Sequence, residues 1–543
     1  MTARSAGLAL LATAGTGLLY GLYARIEAPF FVLGFFGLVP AILWIDGADS
    51  LASALRRGWL VCVGFTVGVF GWFASAVSTY TGLPPSCTWP LLALGAPLLQ
   101  PQWIAYAGLR QLAAARARRT GRGTRWAALV GIGAYLACEW EWPKLLGDSL
   151  GHGLWPDPRL RQAADLAGVA GLSLALLASN EALARAARAV QRGRRRPALA
   201  AALLATVPVL SLLVYGEWRL ASLPRAKREI RVGVVQAGLS DYAELRRRLG
   251  SFAAARRILD EHFSLSRTAL SQGAQLLVWP ETVYPTTFGS PRSQAGRELD
   301  DEIRRFVRGA GAPLIFGSYD AGEHAEYNAA VYLEPEDLAA GRGGGQAYRK
   351  AALFPLTERV PDWLDGERAR SWLPWLGTWS ESDQGGRVVR LTSGRDTLVT
   401  APLICYDAVA PAYARRAVRA GAELLVVLSN DAWFDGGRGS RLHLAVSGFR
   451  TIETRRPQVR ATPTGVSIVL DARGEALAEA GNGERAVLIA NLPLGPGPRT
   501  LVLAWGDWLG PALGALAALA GVWLWRAPPR QAARRSTRPA RRP

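Results

Sequence analysis

The stretch LVTAPLICYD, residues 398–407, combines an apolar run with reactive side chains at its end. It is an apolar run as long as a buried strand, and it ends with a cysteine, Cys405, followed two residues later by Asp407. Layered α/β folds place their functional sites where such strands end. The stretch therefore predicts a buried strand that presents Cys405 at the functional edge of a sheet.

Strands and helices alternate on both sides of this stretch, from about residue 228 to residue 496. Seven more β-rich runs predict strands at 230–236, 275–279, 313–319, 329–333, 423–430, 465–471 and 486–491. Arginine-rich amphipathic stretches predict helices at about 241–272, 297–309, 410–420 and 443–455. Alternation of this kind predicts a layered α/β domain of roughly 270 residues with a core of its own.

Two further segments of this domain carry reactive side chains. VWPETVYP places Glu281 just beyond the strand at 275–279, and YRKAALFPLTERVP contains Lys350 and Glu358. A cysteine nucleophile needs a base, and an acyl-transfer intermediate needs a cation or N–H donors at its oxyanion. Glutamate, lysine and cysteine supply these parts. Three structural alternatives stay open: a surface carboxylate at 281, and a buried structural thiol or a disulfide with Cys87 at 405.

The composition of the basic residues makes Lys350 unusual. The chain contains 60 arginines but three lysines, at 144, 227 and 350. A position that needs only a positive surface charge is therefore expected to hold arginine in this chain. Lysine carries a compact charge that approaches a small oxyanion more closely than the planar guanidinium does, which favours a chemical role for Lys350.

The overall composition excludes several protein classes. Half of the 543 residues are hydrophobic and the mean hydropathy is positive, which argues against a disordered or purely nucleic-acid-binding chain despite a net charge of +20. Four scattered cysteines are too few for a disulfide scaffold or a zinc ribbon, and the four histidines stand alone. We therefore expect no bound metal.

Long uncharged stretches predict about eight membrane-spanning helices. Seven belong to an amino-terminal domain, residues 1–217, and the eighth lies in the carboxyl-terminal segment 500–526, outside the α/β domain at 228–496. The stretch from Gly58 to Leu109 has 52 residues without a charged side chain, too many for one crossing, so Pro84 and Pro85 are expected to separate two spans. The predicted spans are 5–24, 28–45, two within 58–109, about 126–145, 164–184, 197–216 and 508–525.

The basic residues divide between the two sides of the membrane that these spans define. One set of loops and tails holds 22 arginines against two aspartates, so it carries the whole charge of +20, while the other 41 basic and 41 acidic residues cancel. We expect both termini, including a basic tail at 527–543, to be cytoplasmic and residues 228–496 to lie outside. The arginine clusters flank apolar spans and have no interleaved aromatics, so membrane orientation explains them better than nucleic acid does.

The segments WPET, YRKAALFP with ERVP, and ICYD, in this order, resemble the Glu, Lys and Cys motifs of the nitrilase or carbon–nitrogen hydrolase superfamily. Almost the whole chain resembles a membrane branch of this superfamily, the apolipoprotein N-acyltransferases, which have a multi-span amino-terminal region, an outward nitrilase-like domain and one closing span. Further matches lie at 428–434 (LSNDAWF), 450–474 and 506–508 (GDW). The resemblance implies a periplasmic α-β-β-α sandwich on a multi-pass protein of the bacterial inner membrane.

The resemblance also implies a role for each motif residue. Cys405 is implied as the nucleophile, Glu281 as the general base and acid, and Lys350 as the oxyanion stabiliser. Supporting roles are expected for Glu358, Tyr406 and Asp407, and substrate-binding roles for Tyr242, Asn430, Trp433 and Phe434. Other aromatic residues are candidates for a lid or acyl groove: Phe354, Trp363, Trp372 and Trp375. A histidine base is not part of the pattern, so His443 is not expected to act as one.

The implied reaction has two halves and needs no cofactor or metal. Cys405 takes an acyl chain from the sn-1 ester of a phospholipid as a thioester, and the α-amine of the diacylglyceryl-cysteine at an apolipoprotein amino terminus then accepts it. This acylation is the final step of lipoprotein maturation. The implied partners are the phospholipid donor, the diacylated apolipoprotein and the bilayer, with no nucleic acid.

The sequence departs from the family pattern at three positions, where Thr357 replaces a glycine, Asp407 a glutamate and Pro463 an asparagine. The segment after the first strand also lacks a tryptophan that many members carry, and Tyr242 is the nearest aromatic residue there. These departures leave the core chemistry intact but leave open a divergent paralogue with another acyl acceptor. Two other functions are also open. One is a membrane-tethered amidase or nitrilase, with water as the second nucleophile. The other is a transporter or scaffold with an inactive outer domain.

Overall fold

A computed structural model describes residues 3–526 except 124, 240–241, 323–324, 342–344, 362, 364–365, 374, 378, 395 and 435–436. The predicted cytoplasmic tail, 527–543, lies outside the described residues.

The amino-terminal part of the chain is helical. Its helices are α1 (Ala3–Leu10), α2 (Thr16–Tyr23), α3 (Val39–Asp46), α4 (Leu51–Thr81), α5 (Pro85–Leu99), α6 (Gln102–Thr120), α7 (Arg125–Glu141), α8 (Ala164–Gln191) and α9 (Arg195–Ser222). The break predicted at Pro84–Pro85 is confirmed. Helix α4 ends on Gly82, whose φ of 73° is left-handed, and α5 begins at Pro85, a favourable first helical residue.

Within the described ranges, four helices are long and apolar enough to cross a membrane: Leu51–Thr81, Leu160–Gln191, Arg195–Ser222 and Leu509–Arg526. Two shorter apolar helical segments, Gly7–Tyr23 and Phe30–Asp46, coincide with the first two predicted spans. Helix α9 also exposes an apolar face, with Leu199 63% and Val214 69% exposed. An apolar face of this length is suited to lipid rather than water. The count of eight spans stays a prediction.

The rest of the chain alternates strands and helices. In chain order these are β1 (Arg228–Gln236), α10 (Tyr242–Leu249), α11 (Ser251–Ser271), β2 (Leu276–Val278), α12 (Gln294–Ala310), β3 (Leu314–Ala321), β4 (Glu326–Leu333), α13 (Pro335–Ala339), β5 (Gln346–Arg349), α14 (Glu367–Trp372), β6 (Val389–Ser393), β7 (Asp396–Ile404), α15 (Pro411–Arg419), β8 (Leu424–Leu428), α16 (Arg438–Thr454), β9 (Gln458–Ala461), β10 (Ser467–Leu470), β11 (Ala476–Ala480), β12 (Ala486–Leu494), α17 (Leu501–Trp505) and α18 (Leu509–Arg526).

The strands form two six-stranded sheets, in the orders β12-β1-β2-β3-β4-β5 and β11-β10-β9-β8-β7-β6. Each sheet has three parallel strands at its centre, β1 to β3 in one and β7 to β9 in the other, with antiparallel strands outside them. Buried aliphatic residues of both sheets share one core, to which Val278 and Ile404 belong. Helices α11 and α12 cover the outer face of the first sheet, and α15 and α16 lie beside the second. The predicted layered α/β domain, with two sheets between helices, is confirmed.

The second sheet's side of this domain packs on the helical part. Helix α16 lies against α8, and at its carboxyl end Arg455 donates to the carboxylate of Asp165 at 2.7 Å. Both side chains are buried, 0% and 1% exposed. Phe434 packs edge-on against Trp72 of α4, with ring centroids 5.5 Å apart. At its functional edge, the α/β domain thus contacts α4 of the helical part through Phe434.

Candidate active site

Three strand ends bring the predicted motif residues together. Glu281 follows β2, Lys350 follows β5 and Cys405 follows β7. The carboxyl ends of β2 and β5 lie at one edge of the first sheet because two antiparallel steps separate β3 from β5. The parallel strands of the second sheet end at the facing edge, so the site forms between the two sheets.

Glu281, Lys350 and Glu358 form a charged cluster in which Glu281 and Lys350 are buried and Glu358 is partly buried. Lys350 Nζ donates to Glu281 Oε1 at 3.2 Å and to Glu358 Oε1 at 2.7 Å, and the lysine is 1% exposed. Burial alone lowers the pKa of Lys350, but the two carboxylates outweigh it and hold that pKa well above its ordinary value. The ammonium is therefore charged at every physiological pH. Phe354 N–H donates to Glu358 Oε2 at 2.7 Å, which fixes the second carboxylate.

The other contacts of Glu281 come from two asparagines. Asn328 Nδ2 donates to Oε1 at 2.7 Å, and the backbone N–H of Asn430 donates to Oε2 at 2.7 Å. Asn328 also accepts a backbone hydrogen bond from Lys350, at 2.8 Å, and is 3% exposed. Sequence reasoning missed Asn328. It lies at the functional edge because β4, antiparallel to β3, begins there.

Cys405 begins a short 3-10 turn, 405–409, in a left-handed backbone conformation with φ 48°. A non-glycine residue in this region is strained, and such strain is concentrated at functional sites. Burial raises the pKa of the Cys405 thiol, Glu281 raises it further, and Lys350 opposes both. The thiol is therefore protonated at neutral pH in the free protein, and a nucleophilic Cys405 has to lose its proton to a neighbouring base.

Asp407 ties the cysteine segment to the lysine segment. Its Oδ1 accepts from the backbone N–H groups of Ala351 and Ala352, at 3.1 and 2.7 Å. Its Oδ2 accepts from the Ile404 N–H and the Tyr348 hydroxyl, both at 3.0 Å. Burial raises the pKa of this fully buried carboxyl to about 6. Asp407 thus fixes the distance between the strands that carry Lys350 and Cys405.

Aromatic residues wall the cavity above Cys405. The cavity measures about 20 Å³, room for about one water molecule, and its lining includes Phe354, Tyr406, Trp433 and Phe434. The Phe354 ring lies 5.2 Å from that of Tyr406 and 5.1 Å from that of Trp433. Leu146, between α7 and α8, also lines it. These aromatic side chains must therefore move before an acyl chain can enter the cavity.

The remaining aromatic candidates lie elsewhere. Trp363 and Trp372 are each 84% exposed, and the backbone oxygen of Trp375 accepts from the Tyr80 hydroxyl of α4 at 3.4 Å. Tyr242 packs against the core on the outer face of the first sheet and is not among the residues that line the Cys405 cavity. The structure therefore brings Trp433 and Phe434 to the site but not Tyr242, and Asn430 reaches Glu281 through its backbone.

Gly317 of β3 supports the backbone of Glu281. A Cβ added at this position lies 2.5 Å from Glu281 Cα and closer still to the Thr282 nitrogen. We expect Gly317→Ala to displace Glu281 and to lower the turnover rate by roughly 10²-fold, the effect of a misplacement of about 1 Å. Gly309→Ala in α12 is the matched control, because a Cβ there meets nothing within 4 Å. Turnover within about twofold of wild type in both variants contradicts this role of Gly317.

Two protein-family models match the chain. The carbon-nitrogen hydrolase family matches residues 231–496, and the apolipoprotein N-acyltransferase N-terminal domain matches residues 16–182. Apolipoprotein N-acyltransferases from Chlorobaculum tepidum and Caulobacter vibrioides are 26% and 29% identical to this chain. The alignments cover 85% and 88% of this chain and 86% and 88% of those proteins. The chain belongs to the apolipoprotein N-acyltransferase family.

This membership places the chain in the nitrilase superfamily, as the motifs at Glu281, Lys350 and Cys405 predicted. Among solved structures, the NitN amidase from Neterenkonia sp. AN1 is 20% identical with a TM-score of 0.35. That match covers 49% of this chain and 93% of the amidase. The match to the apolipoprotein N-acyltransferase N-terminal domain, at 16–182, covers most of helices α2 to α8.

Proposed function

We propose that the protein transfers an acyl chain from the sn-1 position of a phospholipid, through a Cys405 thioester, to the amino-terminal α-amine of diacylglyceryl-cysteine in apolipoproteins. The observation that carries the proposal is the placement of Cys405 beside the Glu281–Lys350–Glu358 cluster, in an apolar cavity that Leu146, between α7 and α8, also lines. The relatives named apolipoprotein N-acyltransferase support the same reaction over most of the chain.

In the first half-reaction, Glu281 accepts the thiol proton as the Cys405 sulfur attacks the sn-1 ester carbonyl. The tetrahedral oxyanion is stabilised by the Lys350 ammonium, which carries its charge throughout. The carbonyl re-forms, the C–O bond breaks, and Glu281 returns the proton to the departing oxygen. The products are a thioester on Cys405 and a lysophospholipid.

In the second half-reaction, the α-amine of the diacylated cysteine attacks the thioester carbonyl. Glu281 takes a proton from the amine and Lys350 again lies beside the oxyanion. The C–S bond then breaks and the Cys405 sulfur recovers the proton. The products are an amide on the apolipoprotein and the free enzyme, so atoms and charges balance without a cofactor.

The membrane part of the chain suits two lipid substrates. Extracting an acyl chain from a bilayer costs about 0.8 kcal/mol for each methylene group exposed to water. A site that contacts the helical part of the chain avoids most of this cost, because the ester and the diacylglyceryl group stay at membrane depth. The exposed Trp363 and Trp372 are suited to the interface, where tryptophan is enriched.

The proposed orientation has eight spans, the α/β domain in the periplasm and both termini in the cytoplasm. The one-sided arginine distribution supports it. A cysteine introduced by Gly309→Cys, with Cys87→Ser as background, tests it in intact inner-membrane vesicles of known sidedness. Labelling of position 309 by a membrane-impermeant maleimide from the periplasmic side supports the orientation, and labelling from the cytoplasmic side contradicts it.

The activity is tested with the full chain reconstituted in vesicles. The substrates are a phospholipid labelled in its sn-1 acyl chain and a synthetic peptide with an amino-terminal diacylglyceryl-cysteine. Label on the peptide amine supports the proposal, and Cys405→Ala must abolish it. Free labelled fatty acid with no labelled peptide contradicts transfer and favours a hydrolase.

A further inference from the structure

His443 of α16 lies directly beneath the cysteine. Its Nε2 is 3.3 Å from the backbone carbonyl oxygen of Cys405, and the side chain is 7% exposed. It also lines the Cys405 cavity. His443 therefore contacts the main chain of Cys405. The φ of 48° at Cys405 makes this residue the strained position of the turn.

The hydrogen bonds determine which ring nitrogen of His443 carries a proton. A carbonyl oxygen only accepts, so Nε2 must donate to Cys405. On the other side of the ring, Nδ1 lies 3.0 Å from Asp431 Oδ1 and 3.2 Å from an Arg460 nitrogen. It either donates to the carboxylate or accepts from the guanidinium, and in both cases Nε2 keeps its proton. The Nε2 that faces Cys405 therefore has no lone pair with which to act as a base.

Asp431 holds the Nδ1 side of the His443 ring and is itself fixed by hydrogen bonds. Its Oδ2 accepts from Arg460 at 2.7 Å and its Oδ1 accepts from the Ser429 hydroxyl at 2.8 Å. Burial opposes ionisation of Asp431, but Arg460 and His443 outweigh it, so its pKa lies below the ordinary value. Asp431 and Arg460 are 1% and 0% exposed, so the anchor is rigid and shielded from solvent.

We propose that His443 is a positioning residue: its Nε2–H holds the main chain of Cys405 so that the sulfur faces Glu281 and Lys350. The inference rests on the proposed function, because it assigns a purpose to the orientation of the nucleophile. A left-handed non-glycine residue persists only where its surroundings hold it. A series of hydrogen bonds runs from Arg460 through Asp431 and His443 to the Cys405 carbonyl. It starts from the second sheet and α16 and does not involve the contacts of Asp407.

Two amide substitutions separate the two contacts of the imidazole. Glutamine places a side-chain N–H near the position of Nε2 and keeps the donor to Cys405. Asparagine places its N–H near the position of Nδ1 and keeps only the contact with Asp431. We expect His443→Asn to lower the rate of thioester formation roughly 10- to 100-fold at an unchanged KM for phospholipid, and His443→Gln to stay within about threefold of wild type.

A second readout makes the inference independent of the acyl-transfer assay. Alkylation of Cys405 by iodoacetamide, followed by peptide mass spectrometry in the reconstituted full chain, should slow in His443→Asn and match wild type in His443→Gln. If wild type transfers no acyl chain but this alkylation pattern holds, the proposed function fails and the positioning role stands. Alkylation and thioester formation at wild-type rates in His443→Asn overturn the positioning role. Equal losses in both variants, with a lower thermal midpoint in both, overturn it in favour of a structural role.

Discussion

Glu281→Gln is expected to lower the rate of thioester formation by roughly 10²- to 10⁴-fold, the usual contribution of a general base. Because the Cys405 thiol has a raised pKa, attack on an ester depends on transfer of its proton to a base. A glutamine amide cannot accept that proton. Its NH₂ group also faces the backbone N–H of Asn430, which donates to Oε2 at 2.7 Å in the native protein, so two donors meet.

Single-turnover mixing with labelled phospholipid, followed by quantification of label on the protein, measures this prediction. Glu298→Gln, at an exposed position of α12, is the neutral control. Glu358→Gln is a graded comparison. Its carboxylate contacts Lys350 at 2.7 Å and orients that ammonium, so we expect a loss of about tenfold. Wild-type thioester formation in Glu281→Gln contradicts the assignment of the base.

The sequence was most informative where chemistry depends on residue type. Glu281, Lys350 and Cys405 stand out because each follows a recognisable strand and carries a reactive group, and arginine's dominance makes Lys350 unusual.

The eight predicted strands are confirmed. The four others, β5, β6, β9 and β11, have four or five residues each and lack a long apolar run. Gly250, with φ 81°, divides the predicted helix 241–272 into α10 and α11.

Residues whose roles depend on strand pairing or on helix packing escaped prediction. Asn328 is 47 residues from Glu281 in sequence, and the direction of β4 alone brings it to the carboxylate. His443 is 38 residues from Cys405 and meets it because α16 lies beside the turn at 405–409. Tyr242 shows the opposite case. It follows the end of β1 closely in sequence, but α10 carries it to the outer face of the sheet, away from the Cys405 cavity.

Lys350→Met is expected to have the second large effect, because it removes the charge but keeps much of the side-chain volume. Losing one oxyanion donor lowers turnover by roughly 10²- to 10³-fold. The substitution also leaves Glu281 and Glu358, which share one ammonium in the native protein, facing each other in a buried site. Removing one partner of a buried ion pair costs roughly 3–5 kcal/mol of folding free energy.

A comparison of turnover with stability distinguishes this role from simple unfolding. Below its thermal midpoint, folded Lys350→Met should still turn over slowly, because the cation beside the oxyanion is missing. Turnover at the wild-type rate wherever the variant is folded contradicts the role of Lys350.

Turnover and the thermal midpoint in detergent measure both effects, and Lys227→Met, at an exposed lysine, is the matched control. Lys350→Arg tests whether charge alone suffices. The native side chain is 1% exposed, so a guanidinium has no room to replace a compact ammonium between Glu281 and Glu358. Arginine should therefore restore the charge without restoring turnover. Full activity in Lys350→Arg would show that position 350 needs only a positive charge, and the rarity of lysine in this chain would then have no bearing on the site.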